Sequence, residues 1–321
     1  MGITKNVQNR EAIVDMTKRA FPEKELKNVI ELTEGMCNAA YLVEFSDGSR
    51  SVLKIAASGN EGLMSQEVNM MDAEVEAMRL VREHDAMRVA DVQYYDTSRT
   101  LCSGKYFFME ALEGQSLSSL RESLSEEEKS RLYFEAGQMS ANLTKIQGEK
   151  FGLLGDKEHT YDSLFAFMYR LVSDVLQDAR RKDVKITVPD EEILERLKKD
   201  SELFEEVKVP TLVHWDMWEG NIFVKDGHVS GVIDWERAMW GESFMDDRFR
   251  RHTRNSDFLK GFGKESFTKE EQRRISWYDL YLYLVMMTEG SYREYEDDSQ
   301  YRWVKPLFEA AWEELVQPAA L

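Results

Sequence analysis

A short segment beyond the middle of the chain places three chemically capable side chains at fixed intervals. It reads His-x-Asp-x-x-x-x-Asn from His214 to Asn221, with Asp216 between them. Two short β-type runs follow Asn221 and meet at an Asp-Gly pair, which is the signal of a two-residue hairpin. Asp234 stands thirteen residues after Asn221, at the end of the second run. Folding the hairpin returns Asp234 to the side of Asn221, so a fold of this chain must bring these groups into one cleft.

These side chains are the types that phosphoryl transfer from a nucleoside triphosphate requires. One carboxylate must accept or orient the substrate hydroxyl, and Asp216 is the predicted catalytic residue. An amide oxygen and a second carboxylate must hold Mg²⁺ against the phosphates, and the predicted ligands are Asn221 and Asp234. In the structural alternative, Asp216 is a turn residue, Asn221 is a residue in the left-handed conformation and Asp234 caps the end of a strand. The joint spacing favours the chemical interpretation.

The same residues resemble the signature of the aminoglycoside phosphotransferase and choline kinase-like family, whose members are relatives of the protein kinases. That signature is a His-Gly-Asp-x-x-x-x-Asn loop followed by Ile-Asp-Trp or Ile-Asp-Phe. Here Trp215 replaces the usual Gly, and the later tripeptide is Ile-Asp-Trp around Asp234. The departure at Trp215 leaves the three chemical positions unchanged.

The resemblance covers nearly the whole chain in element order, and it implies an architecture. The fold class is α+β, a protein-kinase-like two-lobed fold with a small antiparallel β-sheet N-lobe, one key helix and a larger, mainly α-helical C-lobe. Residues 1–111 would form the nucleotide-binding lobe, and residues 112–321 would carry the catalytic loop and the substrate site. ATP (or GTP) with Mg²⁺ is then expected between the lobes.

A lysine in a buried strand is the second informative feature. Lys54 lies among Val52, Leu53 and Ile55, where an unpaired ammonium group would be costly. It therefore needs an anionic partner, and in the kinase arrangement it contacts the α- and β-phosphates and pairs with a glutamate of the next helix. The alternative is an edge-strand lysine whose ammonium group reaches water.

The next helix offers two acidic partners for Lys54. Apolar residues at three- and four-residue steps predict a helix over residues 65–83. Glu67 and Glu74 lie two turns apart on nearly one face of it, so either could reach the lysine. The run around Glu74 is similar to the family's Glu-centred helix, so Glu74 is the predicted partner and Glu67 stays open.

Two further contacts with the nucleotide are implied by the resemblance. Residues 35–38 are similar to the family's Gly-x-Ser/Thr-Asn-x-x-Tyr turn and are expected to cover the phosphates, with backbone amides as far as Asn38 as donors. The end of the last predicted strand of the sheet is similar to the kinase hinge. There the Glu110 carbonyl and the Leu112 amide would bond the purine, although a plain linker has the same sequence requirements. The lobe boundary is predicted near Leu112.

Beyond residue 116 the sequence is mainly helical. Residues 125–128 and 268–271 are capping boxes that predict helix starts. A further helix is expected over residues 189–207, and the last helix over residues 301–316. The segment of residues 241–247 resembles the family's Gly-Asp-Pro-x-x-Asp run, in which Asp246 would support the catalytic loop by hydrogen bonding.

Composition excludes several classes of protein. The formal net charge is −18, from 60 acidic and 42 basic residues, which should repel nucleic acid and anionic membranes. Two cysteines, Cys37 and Cys102, are too few for a disulfide framework or a zinc site. No signal peptide or membrane-spanning apolar run is visible. We expect a cytoplasmic protein without a nucleic-acid or membrane partner, and the oligomeric state is open.

The phosphate acceptor is expected to be a small molecule, because no Ala-Pro-Glu motif follows Asp234 as it does in protein kinases. Acidic and aromatic residues share the last third of the chain, which suits an amine-bearing hydroxyl compound through ion pairing and cation–π contact. They are Glu242, Asp246, Asp247, Glu289, Glu294, Glu296, Asp297 and Asp298, with Trp240, Trp277, Tyr281, Tyr292, Tyr295 and Trp303. An aminoglycoside or other amino sugar fits, and choline, ethanolamine, homoserine and macrolides are open.

Two other function classes compete with a kinase. A pseudokinase would bind nucleotide and transfer nothing, but Lys54, Asp216, Asn221 and Asp234 are all present. A metal-dependent hydrolase would use the same carboxylates, but the buried lysine strand and the lack of clustered histidines disfavour it.

Overall fold

The computed structural model describes residues 5–33, 38–57, 59 and 62–317. The first third of the chain supplies five antiparallel strands, β1 (Leu26–Leu32), β2 (Ala39–Phe45), β3 (Arg50–Ile55), β4 (Val92–Asp96) and β5 (Tyr106–Glu110). Their order across the sheet is β1-β2-β3-β5-β4. Side chains of β2 alternate between buried and half-buried, which is the period-two pattern of a sheet covered on both faces to different degrees.

Helices cover the two faces of this sheet. Helix α1 (Arg10–Ala20) packs Ile13 and Met16 into a small core on one face. Helix α2 (Met70–Glu83) covers the other face, and its apolar side belongs to the main core, which continues into the rest of the molecule. The predicted start of α2 at residue 65 is wrong, because Asn69 adopts a left-handed conformation (φ 45°) that cannot continue a helix.

The remaining chain forms a helical region with two small sheets. Its helices are α3 (Leu117–Leu120), α4 (Glu126–Leu143), α5 (Leu164–Arg181), α6 (Asp190–Lys199), α7 (Ser201–Phe204), α8 (Ser256–Phe262), α9 (Lys269–Arg293) and α10 (Ser299–Val316). Its strands are β6 (Gln115–Ser116), β7 (Gly152–Leu153), β8 (Thr211–Val213), β9 (Ile222–Lys225), β10 (His228–Val232) and β11 (Met239–Gly241). Among the described residues, no helix is both long enough and apolar enough to cross a membrane.

Both predicted capping boxes are confirmed. The Ser125 and Glu128 side chains cap each other's backbone at the start of α4, and Thr268 and Glu271 do the same at the start of α9. The single helix predicted over residues 189–207 is wrong, because the chain bends at Asp200 between α6 and α7. The Asp200 carboxylate is buried and serves tertiary contacts, accepting hydrogen bonds from helix α9.

The two small sheets hold the segment singled out by the sequence. In one, the order is β10-β9-β6, and the predicted hairpin between β9 and β10 turns through Asp226 and Gly227, both with positive φ. In the other, the order is β7-β11-β8, and Met239 of β11 pairs with Val213 of β8. The α+β architecture, with an N-terminal sheet and a C-terminal helical region, is as expected. The lobe boundary near Leu112 stays a prediction.

Candidate active site

Two strand pairs frame the candidate loop. The loop leaves β8 at His214 and enters β9 after Asn221, while the return segment runs from β10 to β11. Between these pairs, the Ile233 amide donates to the Asn221 carbonyl at 3.0 Å. Asp234 is therefore one residue from a direct backbone contact with Asn221, as the hairpin geometry predicted.

The Asn221 side chain closes the loop on itself. Its Nδ2 atom donates to the Asp216 carbonyl at 2.9 Å and lies 3.4 Å from Asp216 Oδ2. Because both amide protons face Asp216, the Oδ1 atom is left as an acceptor, which is the atom a metal ion would use. One end of the Asn221 amide thus holds the candidate catalytic residue Asp216, and the other end keeps an oxygen that could bind a metal ion.

The backbone at Trp215 explains why glycine is usual at this position. Trp215 has a φ of 74°, a left-handed conformation that is rare for a bulky residue and costs about 1–2 kcal/mol. Two hydrogen bonds hold it there: its amide donates to Asp246 Oδ2 at 3.0 Å, and its carbonyl accepts from the Asp247 amide at 3.1 Å. The predicted loop-supporting contact of Asp246 is therefore present.

Lys54 reaches the loop from strand β3. Its Nζ atom lies 2.6 Å from Glu74 Oε1 and 2.9 Å from Asp234 Oδ1. Burial lowers the pKa of Lys54, but the Asp234 and Glu74 carboxylates outweigh this effect and hold the pKa above its usual range. The ammonium group stays charged, and it links the sheet, helix α2 and the predicted metal ligand Asp234.

The structure places Glu74, and not Glu67, against Lys54. Glu67 lies before the start of α2 and contacts Arg293 instead. Asn38 also has a contact that sequence reasoning did not foresee, because its Nδ2 atom donates to Glu236 Oε2 at 2.7 Å. Residues 34–37, which carry the rest of the predicted phosphate turn, lie outside the described residues.

Glu236 is a candidate site residue that the sequence analysis missed. Carboxylate oxygens of Glu74, Asp234 and Glu236 all lie within 4.8 Å of one another. Burial and the neighbouring Asp234 raise the pKa of Glu236 to about 8. No strand period connects the two side chains, because Asp234 has a φ of 68° and the chain turns at Glu236; their proximity is visible only in the structure.

The donor set fits a hard divalent cation. Glu74, Asp234 and Glu236 offer carboxylate oxygens within 4.8 Å of one another, and carboxylate oxygens are ligands that Mg²⁺ prefers; the predicted role of the Asn221 amide oxygen as a further ligand stays a prediction. The described residues place no histidine or cysteine in this group, so the site does not resemble a zinc centre.

The catalytic candidate Asp216 lies in an acidic environment. Burial raises the pKa of Asp216 well above its usual range; Arg237 opposes this shift, and Asp234 and Asp247 add to it. A carboxyl group tuned upward in this way is a stronger base once ionised, which is the property required for accepting a hydroxyl proton.

His214 supports the loop from inside. Its Nδ1 accepts from the Asp216 amide at 3.2 Å, and its Nε2 donates to the Ile233 carbonyl at 2.9 Å. Burial lowers the pKa of His214 to about 4, so the ring is neutral at pH 7 with the proton on Nε2. It joins the loop to the segment that carries Asp234, rather than offering a proton for transfer.

The predicted hinge residues lie at the expected place. Glu110 ends β5, where its carboxylate pairs with Arg88 at 2.5 Å, and Leu112 packs its side chain against the main core. The predicted purine contacts of the Glu110 carbonyl and the Leu112 amide stay predictions.

Most of the acidic and aromatic residues assigned to the acceptor have other partners. Glu242 pairs with Arg274 inside the protein, and Glu289 pairs with Arg237 at 3.4 Å. Trp277 is fully buried and donates to Asp200. These residues are close in the sequence, but the structure does not bring them together into one acidic, aromatic pocket.

Asp246 and Asp247 each keep one buried carboxylate oxygen without a hydrogen-bond partner in the described structure, and Asp247 is the more exposed of the two. Its side chain is 12 % exposed, its Oδ2 atom is buried without a hydrogen-bond partner in the described structure, and the nearest cation, Arg248 Nε, is 3.9 Å away. Its amide donates to the Trp215 carbonyl, one residue from Asp216. Asp247 is thus a slightly exposed acid beside the candidate loop, and its charge is met by Arg248 only at the outer limit of ion-pair distance.

Comparison with known proteins gives a consistent picture. The sequence profile described as the phosphotransferase enzyme family matches residues 28–246. The comparison with curated proteins gave no match.

Solved structures share the fold at low sequence identity. A thermostable mutant of the aminoglycoside phosphotransferase APH(4)-Ia, in ternary complex with ADP and hygromycin B, has a TM-score of 0.66 at 16% identity, with 96% of this chain and 99% of that chain covered. A candidate fructosamine-3-kinase from Thermobifida fusca has a TM-score of 0.68 at 15% identity, with coverages of 92% and 98%. The aminoglycoside phosphotransferase APH(2")-IIa, in ternary complex with streptomycin and ATP, has a TM-score of 0.60 at 16% identity, with 97% of each chain covered. These likenesses confirm the protein-kinase-like fold.

Proposed function

The chain belongs to the phosphotransferase enzyme family, and we propose that it transfers the γ-phosphate of ATP (or GTP) to a hydroxyl group of a small, amine-bearing molecule. The observation that carries this proposal is that the Glu74 and Asp234 carboxylates both contact the Lys54 ammonium group. This cluster lies beside a loop in which the Asn221 side chain donates to Asp216. These residues come from strand β3, helix α2, the loop after β8 and the segment after β10, and a structural role for any one of them does not explain the set.

The residues divide the work of phosphoryl transfer. Lys54 would bind the phosphates, with Glu74 holding its ammonium group in place. Asp216 would accept the proton of the attacking hydroxyl, because Asn221 holds this carboxylate in the loop and burial raises its pKa. Most of the rate gain in this chemistry comes from alignment and from stabilisation of charge, so the fixed backbone of the loop contributes directly.

Asn221, Asp234 and Glu236 would hold Mg²⁺. When bound, the ion neutralises charge on the phosphate oxygens. In the structure, Lys54 lies on Asp234 Oδ1, so the Asp234 carboxylate would be shared between the lysine and the metal site. Asn38, through its hydrogen bond to Glu236, ties the phosphate turn to the same site.

Asp247 supports an acceptor that brings a hydrogen-bond donor of its own. An ammonium group or hydroxyl group of the acceptor would donate to the Asp247 side chain, which is 12 % exposed, and an ammonium group would also balance its charge, which Arg248 meets only at 3.9 Å. The exposed Trp303 lies in edge contact with His252, whose ring faces the Tyr283 hydroxyl. Solved relatives bind hygromycin B and streptomycin, and the same general class of acceptor suits this chain.

The direct test is a coupled ADP-release screen with Mg-ATP and a panel of amino sugars, amino alcohols and macrolides. At least one acceptor should raise ADP release above the slow hydrolysis of ATP alone. Asp216→Asn should reduce the acceptor-dependent rate by about 10²–10⁴-fold, the usual contribution of a general base, with Mg-ATP binding retained. Tight Mg-ATP binding with no response to any hydroxyl compound would instead support a pseudokinase.

The acceptor class is tested by Asp247→Asn. The variant keeps the shape of the side chain and removes its charge, so we expect the KM for an amine-bearing acceptor to rise with little change in the KM for ATP. A neutral analogue of the same acceptor, with hydroxyl in place of amine, is the control. Equal losses for both compounds would contradict the ion-pair role.

A further inference from the structure

The chain just before helix α2 is tied to the C-terminal helical region by three separate contacts. We call residues 62–69 the anchor segment. In the first contact, the Ser65 amide and hydroxyl donate to the two carboxylate oxygens of Asp178 at 2.7 and 2.8 Å. Asp178 belongs to α5 and is fully buried, and it also accepts from Arg181 at 2.6 Å.

The second contact centres on Glu67, which is 4 % exposed. Its Oε2 atom accepts from the Met64 amide at 2.8 Å, which shapes the anchor segment itself. Its Oε1 atom pairs with Arg293 of α9 and lies 3.5 Å from Arg237. Arg237 in turn lies 3.4 Å from Glu289 of α9. Glu67 therefore joins the segment before α2 to both the return segment of the active site and helix α9.

The third contact is a close approach of two backbones. Asn69 Nδ2 donates to the Gly155 carbonyl at 3.1 Å. A Cβ atom added to Gly155 would lie 2.1 Å from the Val68 carbonyl oxygen, so no other residue fits there without a shift. The backbone of the anchor segment and the backbone of the loop after β7 are thus so close that only a glycine fits between them.

These contacts act on the first turn of α2. The helix begins at Met70, directly after the anchor segment, and Glu74 lies one turn later. Glu74 is fully buried and holds Lys54 at 2.6 Å. The position of the lysine is thus set by a helix whose start is fixed to the C-terminal region.

We propose that Glu67 is a positioning residue that holds α2, and through it Glu74 and Lys54, in the arrangement that binds the phosphates. The inference rests on the proposed function for the role of Lys54. It assigns to Glu67 a task that requires no contact with substrate. The buried ion pair of Glu67 with Arg293 is the contact through which it would act on the start of α2.

An exposed ion pair on the same helix provides the matched control. Glu76 of α2 pairs with Lys157 at 2.5 Å, and their side chains are 34 % and 70 % exposed. A pair so open to water contributes little to stability. Glu76→Gln removes an exposed ion pair between α2 and the C-terminal region, whereas Glu67→Gln removes a buried one made by the anchor segment just before α2.

The experiment measures hydrogen–deuterium exchange of α2 and the Kd for Mg-ATP in the full-length protein, for wild type, Glu67→Gln and Glu76→Gln. We expect Glu67→Gln to speed exchange in the first turns of α2 and to weaken Mg-ATP binding about tenfold, within the range of coupled neighbours. Glu76→Gln should change neither. Unchanged exchange in Glu67→Gln would overturn the proposal.

A double-mutant cycle separates positioning from general destabilisation. If Glu67 acts through Glu74, then Glu67→Gln should weaken Mg-ATP binding much less in a Glu74→Gln background. Equal losses in both backgrounds would show that Glu67 acts independently and would refute the proposed route. If Glu67→Gln does not fold, Ser65→Ala removes one bond of the anchor and should speed exchange of α2 to a smaller degree; no change there also counts against the anchor.

Failure of the proposed function gives a different result. A wild-type protein that binds no Mg-ATP would remove the kinase proposal, while the exchange of α2 in Glu67→Gln against Glu76→Gln would still decide whether the anchor segment fixes the helix.

Discussion

Replacing Asp246 by asparagine should stabilise this protein at neutral pH, although Asp246 makes a central contact of the catalytic loop. Its Oδ2 atom accepts from the Trp215 amide at 3.0 Å, a contact that an asparagine oxygen can also accept. Its Oδ1 atom is buried without a partner in the described structure. The residue is only 2 % exposed, so the charge of the carboxylate is poorly solvated.

The size of the effect follows from the pKa. Burial, together with the neighbouring Asp247, raises the pKa of Asp246 to about 6 from an ordinary 3.8. Since the folded state holds the proton more tightly than the unfolded state, the stability from this group is complete below about pH 4 and is lost as the pH rises through about 6. The difference corresponds to about 3 kcal/mol of lost stability at higher pH.

Asparagine is neutral at every pH in this range, so Asp246→Asn avoids that loss. Its amide nitrogen would occupy the site of the unpartnered oxygen, at a cost of about 1–2 kcal/mol. The net expectation is a gain in the free energy of unfolding of about 1–2 kcal/mol at pH 8 and a small loss at pH 4.5.

Urea unfolding of wild type and Asp246→Asn at several pH values between 4.5 and 8 measures this difference. The result to look for is a sign change of the stability difference at about pH 5, where the loss from the ionised carboxyl group equals the cost of the amide, with the m-value unchanged. Asp247→Asn is the companion variant, because it removes a charge that raises the pKa of Asp246 and should shrink the pH dependence. A variant that is destabilised equally at pH 4.5 and pH 8 would refute the claim that the Asp246 charge is costly.

Two further predictions concern acids whose partners are known. Glu242→Gln should lower the free energy of unfolding by about 3 kcal/mol, because it removes the buried carboxylate that pairs with the buried Arg274. Glu206→Gln removes the exposed partner of the same arginine and should lower the free energy of unfolding by under about 1 kcal/mol. Equal losses in urea unfolding would contradict this. Glu236→Gln keeps an acceptor for Asn38 but removes an anionic ligand, so the Mg²⁺ concentration for half-maximal ATP turnover should rise about tenfold, measured by ADP release at fixed ATP; an unchanged Mg²⁺ requirement would place Glu236 outside the metal site.

The parts of the site that the sequence predicted depend on short-range geometry. A hairpin with an Asp-Gly turn returns the segment of Asp234 toward Asn221, as the spacing predicted, while a bulge between Val229 and Gly231, which the spacing did not predict, sets the final register. The ammonium group of Lys54, in a buried strand, had to find a carboxylate, and the structure provides Glu74 and Asp234. In these cases a local rule and a strong electrostatic requirement agree.

The parts that were missed depend on contacts over long sequence separations. The apolar pattern of α2 extends back to residue 65, but the helix begins at Met70, because the preceding residues are held by Asp178, Arg293 and Gly155. A periodic pattern of apolar residues does not predict contacts with residues more than 80 positions away in the sequence. The acids of the last third of the chain were misjudged for the same reason, since their arginine partners are visible only in the fold.

The charges of the cleft suggest how the nucleotide must enter. Asp216, Asp234 and Glu236 place three acidic groups around the loop, and burial, together with the charge of Asp234, raises the pKa of both Asp216 and Glu236. Lys54 and Arg237 offset only part of this charge. A free triphosphate would add like charge to such a site, whereas a metal–nucleotide complex would bring its own cation to the carboxylates. We therefore expect ATP in excess EDTA to bind at least about tenfold more weakly than Mg-ATP, a difference of about 1.4 kcal/mol. Calorimetric titration of the full-length protein measures both affinities, and equal values would mean that Lys54 and Arg237 already balance the acids of the cleft.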